Sequence, residues 1–176
     1  VKRAAFAGLF SALLMLSACG SDSASPPGQA SGMYKQLLRR LYHNTVPTVS
    51  AAALAQELKA PAAPVLLDAR TPAEYRVSHL AGAHFVNFDS IATETFETLD
   101  REQPVVVYCS VGVRSERLGE RLQALGFRKV RNLYGGLFEW VNEGYPVCTA
   151  QGPTTNVHPY SKWWSPWLKR GRKVYE

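Results

Sequence analysis

Val105-Val106-Val107-Tyr108-Cys109-Ser110-Val111-Gly112-Val113-Arg114-Ser115 decides how this chain is read. A β-branched apolar run ends in a cysteine, a short loop with one glycine follows, and an arginine leads into a helical pattern. Such a run reads as a strand buried on both faces. In α/β proteins ligands sit beyond the carboxyl ends of parallel strands, which is where Cys109 falls. The loop amides and the helix N-terminus are expected to point at the sulfur and to favour an anion beside it. Arg114 adds a permanent cation. Cys109 therefore reads as a nucleophile in a cradle of N–H donors. Ser110, Val111, Gly112, Val113, Arg114 and Ser115 form the expected binding loop.

On either side, strand and helix signals alternate. Thr48-Val49 is a short strand, and Ser50 caps a helix to about Lys59, stopped by Pro61 and Pro64. Val65-Leu66-Leu67 is a buried strand. Thr71-Pro72-Ala73-Glu74 is a capping box with proline at the first helical position. His84 to Phe88 is a strand, and Asp89 or Ser90 opens a helix to about Leu99. Beyond Cys109, Arg114 to Leu125 is a helix closed by Gly126, with Leu118, Leu122 and Leu125 inward. Val130 to Leu133 is the last strand, and Gly136 to Asn142 the last helix, with Trp140 in the core. This alternation predicts an α/β fold: a parallel sheet covered by helices on both faces.

Several separate motifs now match one family together. Tyr108 to Ser115, then Leu125-Gly126-Phe127, then Asn132 to Trp140 resemble the catalytic half of a single-domain rhodanese. Leu67-Asp68-Ala69-Arg70-Thr71-Pro72-Ala73-Glu74-Tyr75 and Ser78-His79-Leu80-Ala81-Gly82-Ala83 resemble that family's other motif. Ser78 stands where glycine is usual and Ala81 where proline is common. The resemblance implies a three-layer fold on a central parallel five-stranded sheet over residues 48–147. It also implies a sulfurtransferase that moves a sulfane sulfur from thiosulfate or another persulfide or polysulfide donor, through a persulfide on Cys109, to cyanide or a thiol. Asp68 and Arg70 match the family's paired residues near the site and are expected to support it structurally. Glu74 reads as a helix cap, and His79 as a hydrogen-bonded structural group. No cofactor is implied, and no ligand cluster has zinc or iron spacing.

Four residues separate Cys109 from Arg114. Related phosphatases of the same fold carry one more, so phosphatase or arsenate-reductase chemistry is disfavoured. A second reading is a rhodanese-like module that docks a protein partner or senses redox state with little turnover. Ser110 and Val111 supply none of the cations that often follow the cysteine in thiosulfate-preferring members. Thiosulfate is therefore expected to be a poor donor. Cys148 reads as a bystander thiol, with a disulfide or resolving role towards Cys109 as the alternative.

The ends are different in kind. Lys2 and Arg3 precede an apolar run, Ala4 to Leu16, and then Leu16-Ser17-Ala18-Cys19. The run is too short to span a bilayer and resembles a bacterial lipoprotein signal over residues 1–18, with Cys19 as the lipid anchor. The expected location is the cell envelope, lipid-anchored; Gly20 after that cysteine resembles the pattern that Gram-negative cells send to the outer membrane, which in such a cell implies its periplasmic face. Residues 19–32 read as a flexible tether, and residues 33–47 as an extension with apolar Met33, Tyr34, Leu37, Leu38 and Leu41 at helical spacing. Residues 148–176 form a basic, aromatic extension. Its Trp and Tyr residues either meet a membrane interface or pack back over Met33 to Leu41; packing is preferred. Of 20 basic residues, two lie at the extreme N-terminus and five in this tail. With Glu176 also set aside, the body holds thirteen basic and thirteen acidic residues and shows no nucleic-acid signature.

Overall fold

The computed structural model describes residues 32–88 and 96–175. The signal, the tether up to residue 31 and Cys19 lie outside the described residues, as does most of the helix expected from Asp89 or Ser90. Five helices run Gly32–Leu41 (α1), Ala51–Glu57 (α2), Pro72–Val77 (α3), Val113–Ala124 (α4) and Gly136–Asn142 (α5). Five strands, Thr48–Val49 (β1), Val65–Asp68 (β2), His84–Phe85 (β3), Val105–Tyr108 (β4) and Val130–Leu133 (β5), make one parallel sheet in the order β1-β5-β4-β2-β3. This is the expected five-stranded α/β architecture.

The β4 run is central because both of its faces are apolar. Successive side chains alternate sides. Val106 and Tyr108 join one core with Tyr34, Leu38 and Leu54 of α1 and α2, and with Leu137 and Phe138 of α5. Val105, Val107 and Cys109 join the other, with Leu118 and Leu122 of α4 and with Phe96 and Phe127. Local signals fix the helix starts. Ser50 Oγ accepts from Ala53 N–H, and Thr71 and Glu74 complete both halves of the capping box. The edge strand β3 is shorter than the expected His84 to Phe88: pairing with β2 covers only His84 and Phe85.

The C-terminal extension is built from pieces too short for periodicity to reveal. Val147–Thr149 (β6) pairs antiparallel with Gly152–Thr154 (β7), and Asn156–Val157 (β8) pairs parallel with Arg172–Lys173 (β9). Between β8 and β9 a 3-10 turn, Ser165–Trp167, lies against the domain. The Trp167 ring stacks on Tyr34 of α1, centroids 5.6 Å apart, and Trp164 packs against the same core. The tail thus packs back over α1, although Trp163 stays 89% exposed. Among the described residues no helix is long and apolar enough to cross a membrane.

Candidate active site

Cys109 follows β4 directly and is 1% exposed. The next three residues turn the chain into α4. Gly112, at the cap position of α4, has φ 103°, and no side chain caps that helix. Its amide instead donates to Cys109 Sγ at 3.1 Å. The helix N-terminus therefore favours an anion at the sulfur's position. Of the loop amides expected to face the sulfur, Gly112 makes this bond.

The loop is pinned from three directions. From α5, the Leu137 and Phe138 amides donate to the carbonyls of Cys109 and Ser110 at 2.8 and 3.0 Å. That approach needs glycine at position 136, where a Cβ would stand 2.4 Å from the Cys109 oxygen. From β5, Asn132 Nδ2 donates to the Gly112 carbonyl at 2.8 Å, and Ser115 Oγ donates to Asn132 Oδ1 at 2.7 Å. Ser115 is thus a buried brace behind the loop and does not line the cavity. From the N-terminal extension, the Tyr42 hydroxyl donates to the Val111 carbonyl at 2.7 Å and accepts from the Gly135 amide at 2.9 Å. Burial pushes the Tyr42 phenol well above its ordinary value, so it stays protonated and can donate.

Arg114, the permanent cation of the loop, is engaged by a carboxylate. Its Nη1 and Nη2 donate to the two oxygens of Glu74, both at 2.9 Å, and Nη2 also donates to Ser110 Oγ at 3.0 Å. Ser110 Oγ donates to Glu74 Oε1. Glu74 is 0% exposed. Burial alone would raise its carboxyl. The Arg114 hydrogen bonds and charge, with bonds from Ser110 and the Thr71 amide, outweigh it and hold the carboxyl down at about 2. One carboxylate thus caps α3 and orders the loop after β4. Sequence reading finds only the first duty, because only the first is local.

Asp68 and Arg70 form a closed pair. Arg70 Nη2 donates to Asp68 Oδ2 at 2.6 Å and to the Ser78 carbonyl at 2.5 Å, with both side chains fully buried. His79 Nδ1 donates to the Tyr75 carbonyl at 3.0 Å, and its ring stacks on Tyr75. Cys148 bridges to His79 through its backbone. Cys109 and Cys148 are both free thiols, and burial pushes the Cys148 thiol up.

A cavity of about 220 Å³ opens over Cys109. Ser110, Val111, Val113 and Arg114 form its floor with the cysteine. Leu41 of α1, and Tyr160 and Trp164 of the C-terminal extension, form its walls. The Tyr160 ring covers the Arg114 guanidinium, with the ring centroid 4.8 Å from the guanidinium carbon. Sequence reading noted these aromatic residues but could not place them at the site.

Residues 50–143 match the family model for the rhodanese-like domain. The chain belongs to that family. A protein named sulfurtransferase from Allochromatium vinosum is 30% identical over 104 residues, which cover 59% of this chain and 96% of that protein. The thiosulfate sulfurtransferase GlpE of Pseudomonas fluorescens is 36% identical over 88 residues, covering 50% of this chain and 79% of the relative. The solution structure of a rhodanese-like domain from an Anabaena protein superposes with a TM-score of 0.54 at 26% identity, covering 58% of this chain and 79% of that one. The rhodanese-like match begins after Leu41 and Tyr42 and ends before Tyr160 and Trp164.

Proposed function

We propose that this chain is a sulfurtransferase that carries a sulfane sulfur as a persulfide on Cys109. The observation that carries the reading is the buried Cys109 sulfur, bonded by the Gly112 amide and opening onto its own small cavity. The names of its rhodanese relatives support it. In the first step the Cys109 thiolate attacks the outer sulfur of a donor. With thiosulfate, the new S–S bond forms as the old one breaks, and sulfite leaves with the electron pair. In the second step cyanide or a thiolate attacks the outer sulfur of the persulfide and frees Cys109. This is covalent catalysis in two half-reactions. The Gly112 amide and the α4 N-terminus stabilise the persulfide anion. Arg114, held by Glu74, shapes the loop.

The test is intact-mass measurement of the full chain in mild detergent, reduced and then treated with inorganic polysulfide or thiosulfate. A one-sulfur gain is expected on the wild type, absent from Cys109→Ser and reversed by cyanide. A folded wild type with a free Cys109 thiol that gains nothing from either donor sinks the reading in favour of a docking or redox-sensing module.

The chain's place is proposed as the cell envelope, held by acyl chains on Cys19. The motif Leu16-Ser17-Ala18-Cys19 supports this. Two or more acyl chains anchor stably. Expressed in a bacterial host, the wild type is expected in the detergent-rich phase of a cloud-point extraction and Cys19→Ala in the aqueous phase. Equal partitioning of the two overturns the anchor.

A further inference from the structure

The cavity over Cys109 is unlike a receptor for a small dianion. Arg114 is the one cation among the residues lining it, and both of its terminal nitrogens already serve the Glu74 carboxylate. The pair is neutral as a unit, and the Tyr160 ring covers the guanidinium face. Thiosulfate carries two negative charges and would find no uncommitted side-chain cation there. The rest of the lining is mostly apolar: Leu41, Val111, Val113, Tyr160 and Trp164. At about 220 Å³ it exceeds the roughly 150 Å³ that holds a benzene ring, and it falls short of the roughly 300 Å³ at which drug-sized pockets begin.

The tail is held in place at some conformational cost. Tyr160 has φ 62°, a left-handed backbone that a non-glycine residue rarely adopts. The buried His158 fixes it: Nδ1 accepts from the Tyr160 amide at 3.0 Å, and Nε2 donates to the Tyr175 carbonyl at 3.1 Å. Strain of this kind is found where a side chain must be aimed. Here it aims an aromatic ring at the cavity.

We infer that the site takes its sulfur from an organic sulfane-sulfur donor of at most one negative charge, bearing one apolar group about the size of a phenyl ring, and that Leu41, Tyr160 and Trp164 select it. The inference rests on the sulfurtransferase reading. For a hydropersulfide R–S–SH, the Cys109 thiolate attacks the outer sulfur. The Cys109–sulfur bond forms, the donor's S–S bond breaks, and R–S⁻ leaves with the electron pair while the proton stays on the transferred sulfur. No net oxidation occurs.

The experiment compares benzenethiosulfonate, a monoanion with one phenyl ring, with thiosulfate on the full chain in detergent. The kcat/KM ratio of the two donors is divided by the ratio of their rates with free cysteine, which removes intrinsic reactivity. We expect a corrected preference of at least ~10-fold for benzenethiosulfonate, the scale on which an apolar pocket discriminates. Trp164→Ala and Tyr160→Ala are expected to shrink it severalfold, mainly through KM, and Tyr160→Phe to keep it. Leu41→Arg, which adds a cation to the wall, is expected to raise kcat/KM for thiosulfate, which a fold defect would not do. A corrected ratio near one, or a ratio unmoved in both alanine variants, overturns the inference. Inorganic polysulfide, which needs no walls, separates the two failures. If it loads Cys109 while the ratio is flat, only the selection is wrong; if it loads nothing, both readings fall.

Discussion

Asp68–Arg70 and Glu74–Arg114 are both carboxylate–guanidinium pairs at or beyond the carboxyl ends of the adjacent strands β2 and β4, yet they do different work. The first joins residues two apart and is fully buried. It braces the turn after β2 and holds the Ser78 carbonyl at the end of α3. The second joins residues 40 apart, and its arginine side chain keeps 20% exposure. It ties the start of α3 to the loop after β4 and borders the cavity. The short-range pair braces the turn from β2 to α3; the long-range pair reaches from α3 to α4 and orders the residues around Cys109. It also neutralises the charge it brings there.

The contrast can be broken most directly at the closed pair. Asp68→Ala leaves the Arg70 guanidinium buried without its carboxylate and should cost about 3–5 kcal/mol, read from urea unfolding of the full chain. A loss below about 1 kcal/mol, the scale of an exposed ion pair, would show that this pair does not hold the scaffold. The second pair has an acid signature. Its Glu74 carboxyl lies at about 2 in the folded chain, against an ordinary 4.5. A depressed carboxyl stabilises the fold above its unfolded value, and that stability is lost as pH falls towards 2. About 3 kcal/mol should therefore disappear between pH 5 and pH 2, and Glu74→Gln should lack that component of the pH dependence.

Two smaller effects sharpen the comparison. Tyr42→Phe removes both hydroxyl bonds to the loop region while leaving both ion pairs intact. It should lower unfolding stability by about 2 kcal/mol and slow persulfide loading. Unchanged loading would make the ion pair the sufficient anchor of the loop. Tyr160→Ala removes only an outer ring, itself 46% exposed, from the guanidinium. Its stability cost should stay below about 1 kcal/mol in the same unfolding measurement.

How much could be read beforehand follows the same division. The β4 run, the Thr71 capping box, the closing Gly126 and the α5 boundaries are local patterns, and sequence reading finds them within one or two residues. The Tyr42 hydroxyl meets partners 69 and 93 positions away, and Glu74 meets Arg114 40 away. No spacing rule reports such contacts. The tail strands are two or three residues long and carry no period. Their aromatic and basic composition was visible, but composition suits a membrane interface and a pocket wall equally well.

The cavity walls have a consequence for how such a protein can be altered. Leu41, Tyr160 and Trp164 all lie outside residues 50–143, the segment shared with the family. A chimera that keeps this segment and exchanges both flanks would inherit Cys109 and the Glu74–Arg114 ion pair but lose the cavity walls. It would also lose the Tyr42 hydroxyl, so a working graft must supply a new donor to the Val111 carbonyl along with its new walls.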